Sequence, residues 1–298
     1  MRTRTLSLVL LLLLALPARA VEIFASVPEW GSLAREIGGE QANVFVAARA
    51  LQDPHRVEAR PSLIARARRA DLVIATGGEL EIGWLPLVLR ESGNARVQPG
   101  QPGYFEAAGA VRMLDVPARL DRADGDVHAQ GNPHIQTDPR NILKVAQALT
   151  ERLAAIDAAH AAAYRANFSA FAGKWQAAEA RWEQEAAPLR GVAVAVQHTA
   201  WSYLADWLHL KVVAALEPKP GVEPSAAYLA RLVGEAGTAP PRMVIRAAYN
   251  DPRPAEWYAA QVKIPLVTLP FTVGGNDAAS DLFALFDDTV RRLLGGLQ

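Results

Sequence analysis

Short apolar runs alternate with apolar stripes at helical spacing along most of this chain, and the alternation occurs twice. Ile23-Phe24-Ala25-Ser26-Val27 predicts a strand, after which Trp30, Leu33, Ala34 and Ile37 recur at i, i+3, i+4 and i+7 until Gly38-Gly39 ends a helix. A second short strand is predicted at Val44-Phe45-Val46-Ala47-Ala48. Pro61 then opens a helix with Leu63, Ile64, Ala67 and Ala70 on one face, and Asp71-Leu72-Val73-Ile74-Ala75-Thr76 reads as a buried strand ending in Gly77-Gly78. Strand and helix alternate again beyond Pro188, with strands predicted at 192–197, 211–216, 242–247 and 265–269 and a last helix from about 280. Alternation of this kind predicts mostly parallel sheets with helices on both faces.

Between the two halves, residues 98–131 are rich in Gly, Pro, Asp and Ala and show little periodicity, which predicts surface structure, most mobile over Asp124–Gly131. From Asn141 to Ala172 there is neither Gly nor Pro, and Ile142, Val145, Ala146, Leu149, Leu153 and Ile156 keep one apolar stripe. A continuous helix of about 32 residues would be roughly 48 Å long, longer than a small domain is wide. The expected fold is therefore two α/β lobes, each a mostly parallel sheet flanked by helices, joined by a long rigid helix. The expected division is a signal peptide over 1–20, an N-terminal lobe over 21–138, a linking helix over 139–174 and a C-terminal lobe over 175–298.

The first twenty residues do not belong to either lobe. Arg2 and Arg4 precede an apolar run from Leu6 to Leu16, and Ala18-Arg19-Ala20 offers a small-x-small cleavage site, so the chain is expected to be exported and to begin at Val21 once processed. No later segment approaches the roughly 20 apolar residues of a membrane span. With 31 basic and 31 acidic residues there is no net charge to recommend nucleic acid or an anionic membrane as partner. The chain has no cysteine, which excludes disulfides, thiolate metal sites and a lipid-modified cysteine. Metal chemistry would have to use His, Asp and Glu.

Three histidines stand at junctions. His55 follows Gln52-Asp53-Pro54, His198 follows the apolar run ending at Gln197, and His134 lies in Asn132-Pro133-His134, just ahead of Asp138-Pro139, a strong helix start. In open α/β sheets ligands bind beyond the carboxyl ends of strands, so a site between the lobes is expected. Zinc takes imidazole and carboxylate ligands, usually four, and these three imidazoles would supply three of them. The last strand-to-helix loop offers Asp277 as the fourth ligand, with Asp281 or water as alternatives. An acidic residue there can equally cap the final helix. His128 reads as a loop residue or an aid to metal capture. His160, His209, Trp175 and Trp182 read as surface, capping or packing groups.

The residues Asp53-Pro54-His55 with Arg60-Pro61-Ser62, Ala70–Ile74 with Gly77 and Glu81, Asn132–Ile135 with Asp138-Pro139, and Gln197-His198 with Tyr203-Leu204 carry a resemblance across nearly the whole processed chain. It is to the zinc- and manganese-binding solute-binding proteins of ABC importers. The resemblance implies His55, His134 and His198 as ligands, Zn(II) as bound cargo, a periplasmic location, delivery to an ABC transporter permease, a periplasmic metallochaperone as a second candidate partner, and a monomer without membrane insertion or enzyme activity. Manganese-binding members usually carry Glu at the third position, so His198 favours zinc over a manganese-specific protein. The chain departs from the family at Phe271-Thr272-Val273, where Asp often follows the Phe-Thr pair, and in its short, histidine-poor loop before His134. A secreted zinc hydrolase is the competing function. It would need a general base, for which only Glu217 and Glu223 come forward, and no His-Glu-x-x-His helix is present.

Overall fold

A computed structural model describes residues 19–119, 128–238 and 240–298. Most of the expected signal peptide, and residues 124–127 of the segment expected to be mobile, lie outside the described residues. Each lobe is a four-stranded, all-parallel sheet. In the first, β1 (Val21–Ala25), β2 (Ala42–Val46), β3 (Leu72–Ala75) and β4 (Tyr104–Glu106) run in the order β2-β1-β3-β4. In the second, β5 (Ala193–Val196), β6 (Lys211–Ala215), β7 (Met243–Ala247) and β8 (Leu266–Leu269) repeat that order as β6-β5-β7-β8.

The burial of the strands explains the order. Every residue of β3 and four of the five in β1 are buried, as expected of inner strands covered on both faces. The edge strands β2 and β6 are only partly covered. Ile23 registers against both Val44 and Leu72, so β1 sits at the centre of the first sheet. Helices α1 (Pro28–Gly38), α2 (Pro61–Arg69) and α3 (Leu85–Ser92) cover the first sheet; α6 (Ser202–Leu208), α7 (Ala226–Ala236), α8 (Arg253–Val262) and α9 (Leu282–Gly295) serve the second. Two of these elements were not expected from the sequence: helix α3, and strand β4, whose Tyr104-Phe105-Glu106 is too short to show a period.

The linking segment differs from the single rod that its composition predicts. Asp138 caps α4 (Pro139–Ile156), its carboxylate accepting from the Arg140 N–H at 2.8 Å with Pro139 in the first turn. The helix then stops at Asp157, whose backbone leaves helical angles (φ −136°, ψ 70°). The Asp157 carboxylate binds the His160 ring at 2.7 Å and accepts from the Tyr164 hydroxyl at 2.5 Å. This is a side chain competing with the helical ladder, in a stretch with no Gly or Pro to announce it. His160, read from the sequence as a surface group without a carboxylate neighbour, is thus part of the break.

The chain returns along α5 (Ala161–Glu185), the long helix of the fold at 25 residues. Arg165 pairs with Glu151 at 2.7 Å and the Trp175 indole donates to the Pro139 carbonyl at 2.9 Å, which makes α4 and α5 an antiparallel hairpin. Helix α5 touches both lobes: Asn167 donates to the Ile37 carbonyl at 3.0 Å on one side, and Phe171 and Trp175 pack on Phe283 of α9 on the other. The main apolar core therefore runs continuously from Trp30 and Leu33 through Trp175 and Trp182 to Phe286. At roughly 25 cal/mol per Å² of apolar surface removed from water, such a seam opposes separation of the lobes.

Candidate metal centre

The loops at the carboxyl ends of the two sheets face one another, and they bring three imidazoles together. One ring nitrogen of each of His55, His134 and His198 lies within 4.8 Å of the other two. The ring centroids are 5.2 to 6.0 Å apart. His134 and His198 are buried and His55 nearly so.

Each imidazole is oriented through Nδ1. In Asp53-Pro54-His55, one carboxylate oxygen of Asp53 accepts from the His55 backbone N–H at 3.0 Å and lies 2.9 Å from its Nδ1. Asn132-Pro133-His134 repeats the device with an amide: Asn132 Oδ1 accepts from the His134 N–H at 3.1 Å and lies 2.8 Å from Nδ1. The proline between Asx and His holds the turn, and the Asx oxygen binds the chain two residues on. The Asn132 amide is itself fixed, since its Nδ2 donates to the Thr199 carbonyl at 2.8 Å and to Ser202 Oγ at 3.1 Å. His198 uses a distant partner, Glu217 after β6, at 2.7 Å from Nδ1, and Glu217 is held in turn by the Gly221 N–H.

With Nδ1 hydrogen-bonded to an acceptor, the proton sits there and the lone pair is left on Nε2. The Nε2 atoms of His55 and His134 are buried and meet no hydrogen-bond partner among the described residues. Burial, reinforced by the neighbouring rings of His55, His198 and His128, holds the His134 imidazolium well below its ordinary range, so the ring stays neutral. Three converging imidazoles, two of them with buried Nε2 atoms that lack a partner among the described residues, fit a divalent cation such as zinc.

The surroundings hold the loops in place. Trp84 donates to the Pro54 carbonyl at 3.0 Å, pinning the His55 loop. Glu81, quoted from the sequence without a role, is buried and accepts from Ser26 Oγ and the N–H groups of Thr76 and Gly77, tying together the ends of β1 and β3. Between the lobes, the Tyr203 hydroxyl donates to the Asn132 carbonyl at 2.9 Å, and Arg140 joins Asp138 to Asp206.

The structure does not bring Asp277 into the imidazole group. Asp277 is exposed, and Asp281 caps α9 by accepting from the Ala284 N–H at 2.8 Å. The Gly274–Asp277 loop is tied down by hydrogen bonds. Gly274 donates to the Ala279 carbonyl, Gly275 to that of Thr272, and Asn276 binds Asp288 at 2.8 Å. His128 is no solvated loop residue: its ring stacks on His55 at 5.5 Å and stands 4.0 Å from Glu79. Asp53, Asn132 and Glu217 were not assigned as orienting groups from the sequence. The repeated Asx-Pro-His tripeptide was the available signal for the first two, and Glu217 had none.

Fold and site together define a two-lobed parallel α/β protein with a histidine-lined cleft. The family model described as zinc-uptake complex component A, periplasmic, matches residues 23–295, and the chain belongs to that family. It is 26% identical over 274 residues to the high-affinity zinc uptake system protein ZnuA of Paracoccus denitrificans, covering 80% of each chain. It is 25% identical over 202 residues to the zinc-binding lipoprotein AdcA of Streptococcus pneumoniae; that match takes in 66% of this chain but only 39% of the relative. A crystal structure of ZnuA superposes with a TM-score of 0.77 at 22% identity, covering 94% of this chain and all of the other. Zinc-uptake family members are substrate-binding proteins, and no described helix is long and apolar enough to cross a membrane.

Proposed function

We propose that this protein captures a single zinc ion in the periplasm through Nε2 of His55, His134 and His198 and delivers it to an ABC-type membrane importer. The observation that carries the reading is the convergence of three oriented imidazoles, drawn from both lobes and the segment between them, with the Nε2 atoms of His55 and His134 buried and without a hydrogen-bond partner among the described residues. Three protein ligands leave the fourth coordination position to water, the arrangement that permits exchange. A cargo must be released, so an open position serves this function better than a closed tetrahedron. Glu217 orients His198, which removes one of the two candidates for a hydrolytic base.

The test is metal analysis of tag-free protein with zinc and manganese in competition. One zinc per chain, retained against excess manganese and lost in His134→Ala, is the expected result. Manganese held in preference, or zinc retained by that variant, overturns the assignment.

A further inference from the structure

Asn132 does more than orient His134, because three of the groups that hold it come from the turn that follows His198. Its Nδ2 donates to the Thr199 carbonyl at 2.8 Å and to Ser202 Oγ at 3.1 Å, while its backbone carbonyl accepts from the Tyr203 hydroxyl at 2.9 Å. That hydroxyl accepts in turn from the Leu114 N–H at 3.0 Å, and the Leu114 carbonyl accepts from the Asn132 N–H at 2.8 Å. Tyr203 is buried, where a hydrogen bond left unmade is costly. A continuous chain of bonds thus runs from His134 Nδ1 through the Asn132 amide to the backbone one residue beyond His198. Two ligands from different elements share one support.

His55 has no such tie to the second lobe. Among the described residues, the hydrogen bonds of residues 47–60 stay within that loop or reach the first lobe, where Trp84 holds Pro54 and the N–H groups of Ala47 and Ala48 donate to Ala25 and Ser26. A cavity of about 490 Å³ is lined by Asp53 and Arg56 from this loop and by Glu217, Asp251 and Trp257 from the second lobe. A pair of ligands already fixed in place costs no further ordering when the ion arrives, whereas a ligand on a separately held loop must be brought up to it.

We propose that Asn132, Ser202 and Tyr203 are positioning residues that clasp His134 and His198 into a two-imidazole half-site, in place before the ion arrives, to which His55 is added from the first lobe. The clasp presupposes that these imidazoles bind the ion. It also requires an amide at position 132. A carboxylate there could still accept from the His134 N–H and Nδ1, as Asp53 does for His55, but it would turn a second oxygen onto the Thr199 carbonyl instead of a donor.

The experiment starts with metal-free protein, in which hydrogen exchange at the Leu114 N–H, followed by NMR, reports the clasp directly. Exchange there should be slow, and at least about fivefold faster in Tyr203→Phe, which removes only a hydroxyl. Zinc affinity, measured by chelator competition, should fall about five- to tenfold in Tyr203→Phe and by a similar factor in Ser202→Ala. The Tyr203→Phe loss should recur in a His55→Ala background and shrink to within about twofold in a His198→Ala background, where no pair is left to hold. Asn132→Asp should bind zinc at least about tenfold more weakly than the parent, although it adds a negative charge near the ion. A parent protein that takes up no zinc, or a His134→Ala variant that keeps it, fails the metal assignment and the half-site with it. With zinc binding by the parent intact, three results overturn the clasp alone: a Leu114 N–H that exchanges at the rate of an open loop, a Tyr203→Phe loss as large in His198→Ala as in His55→Ala, or an Asn132→Asp variant that binds zinc as tightly as the parent.

Discussion

The two lobes share one strand order yet present their histidines by different routes. In the first lobe the loop after the edge strand β2 carries both His55 and, two residues earlier, the Asp53 that orients it. In the second lobe the histidine follows the inner strand β5, and the loop after the edge strand β6 supplies only its carboxylate, Glu217. The topological position that provides a ligand in one lobe provides the ligand's partner in the other. A local pair is set as soon as its turn forms, whereas a pair 19 residues apart in sequence depends on correct packing of β6 beside β5. The second lobe's half of the site is therefore the half more exposed to disturbance from loops at a distance.

The largest effects should come from the imidazoles themselves. His55→Ala, His134→Ala and His198→Ala should each lower zinc affinity by more than about 100-fold, beyond what loss of an orienting partner costs. Competition with a chromophoric chelator measures this, and an unchanged affinity in any one of the three removes that residue from the site.

The comparison between lobes is sharpened by their orienting groups. Glu217→Ala and Asp53→Ala should each cost about 10- to 100-fold in zinc affinity. Asp53→Asn should be much milder, because Asn132 already performs the same task for His134 with an amide oxygen. If Asp53→Asn is as damaging as Asp53→Ala, the negative charge rather than the acceptor geometry matters, and the likeness drawn between the two Asx-Pro-His turns fails.

The difference between local and distant pairing also explains what could be read from the sequence. Both sheets were legible because their inner strands are unbroken apolar runs bounded by turn residues, as in Leu72–Ala75. His55, His134 and His198 were legible as candidates because each stands at a junction where strand or loop gives way to helix. Asp53 and Asn132 lay in plain view within their tripeptides. Glu217 was not legible, since only the sheet brings residue 217 beside residue 198. The break at Asp157 was hidden for the same reason: its cause is a set of side-chain hydrogen bonds, not a helix-breaking residue. Strand β4 is held by its pairing with β3, which no local pattern records.

The seam between the lobes gives a pH-dependent prediction. Burial pushes the Glu29 carboxyl, at the start of α1, up to about 7 from an ordinary 4.5. A carboxyl with a raised folded-state pKa is protonated and tolerated at low pH, and its ionisation costs stability as pH rises from 4.5 through 7. The full cost, about 3 kcal/mol, is present above pH 7. Glu29→Gln should therefore melt several degrees higher than the parent protein at pH 8, with the difference fading toward pH 4.5. A difference that grows on acidification contradicts the assignment.

The smallest effect expected is at Asp277, where the closed state of the last loop decides the outcome. For Asp277 to reach the imidazoles, the loop would have to release the Gly274–Ala279 and Gly275–Thr272 backbone bonds and the Asn276–Asp288 bond. Gly275 packs so closely on the Pro270 carbonyl that a Cβ would lie only 2.0 Å from its oxygen, so only glycine fits the loop in this closed state. Giving up three hydrogen bonds at about 1 kcal/mol each would consume much of what one added carboxylate ligand returns. Asp277→Ala should thus behave as an exposed surface change, altering zinc affinity by no more than about threefold. The informative companion is Asn276→Ala, which unties the loop from Asp288. If Asp277 can become a ligand once the loop is free, zinc affinity should rise in Asn276→Ala and fall back when Asp277→Ala is added. If neither change moves the affinity, three imidazoles are the complete protein contribution. A loss of tenfold or more in Asp277→Ala alone would mean that zinc itself opens the loop.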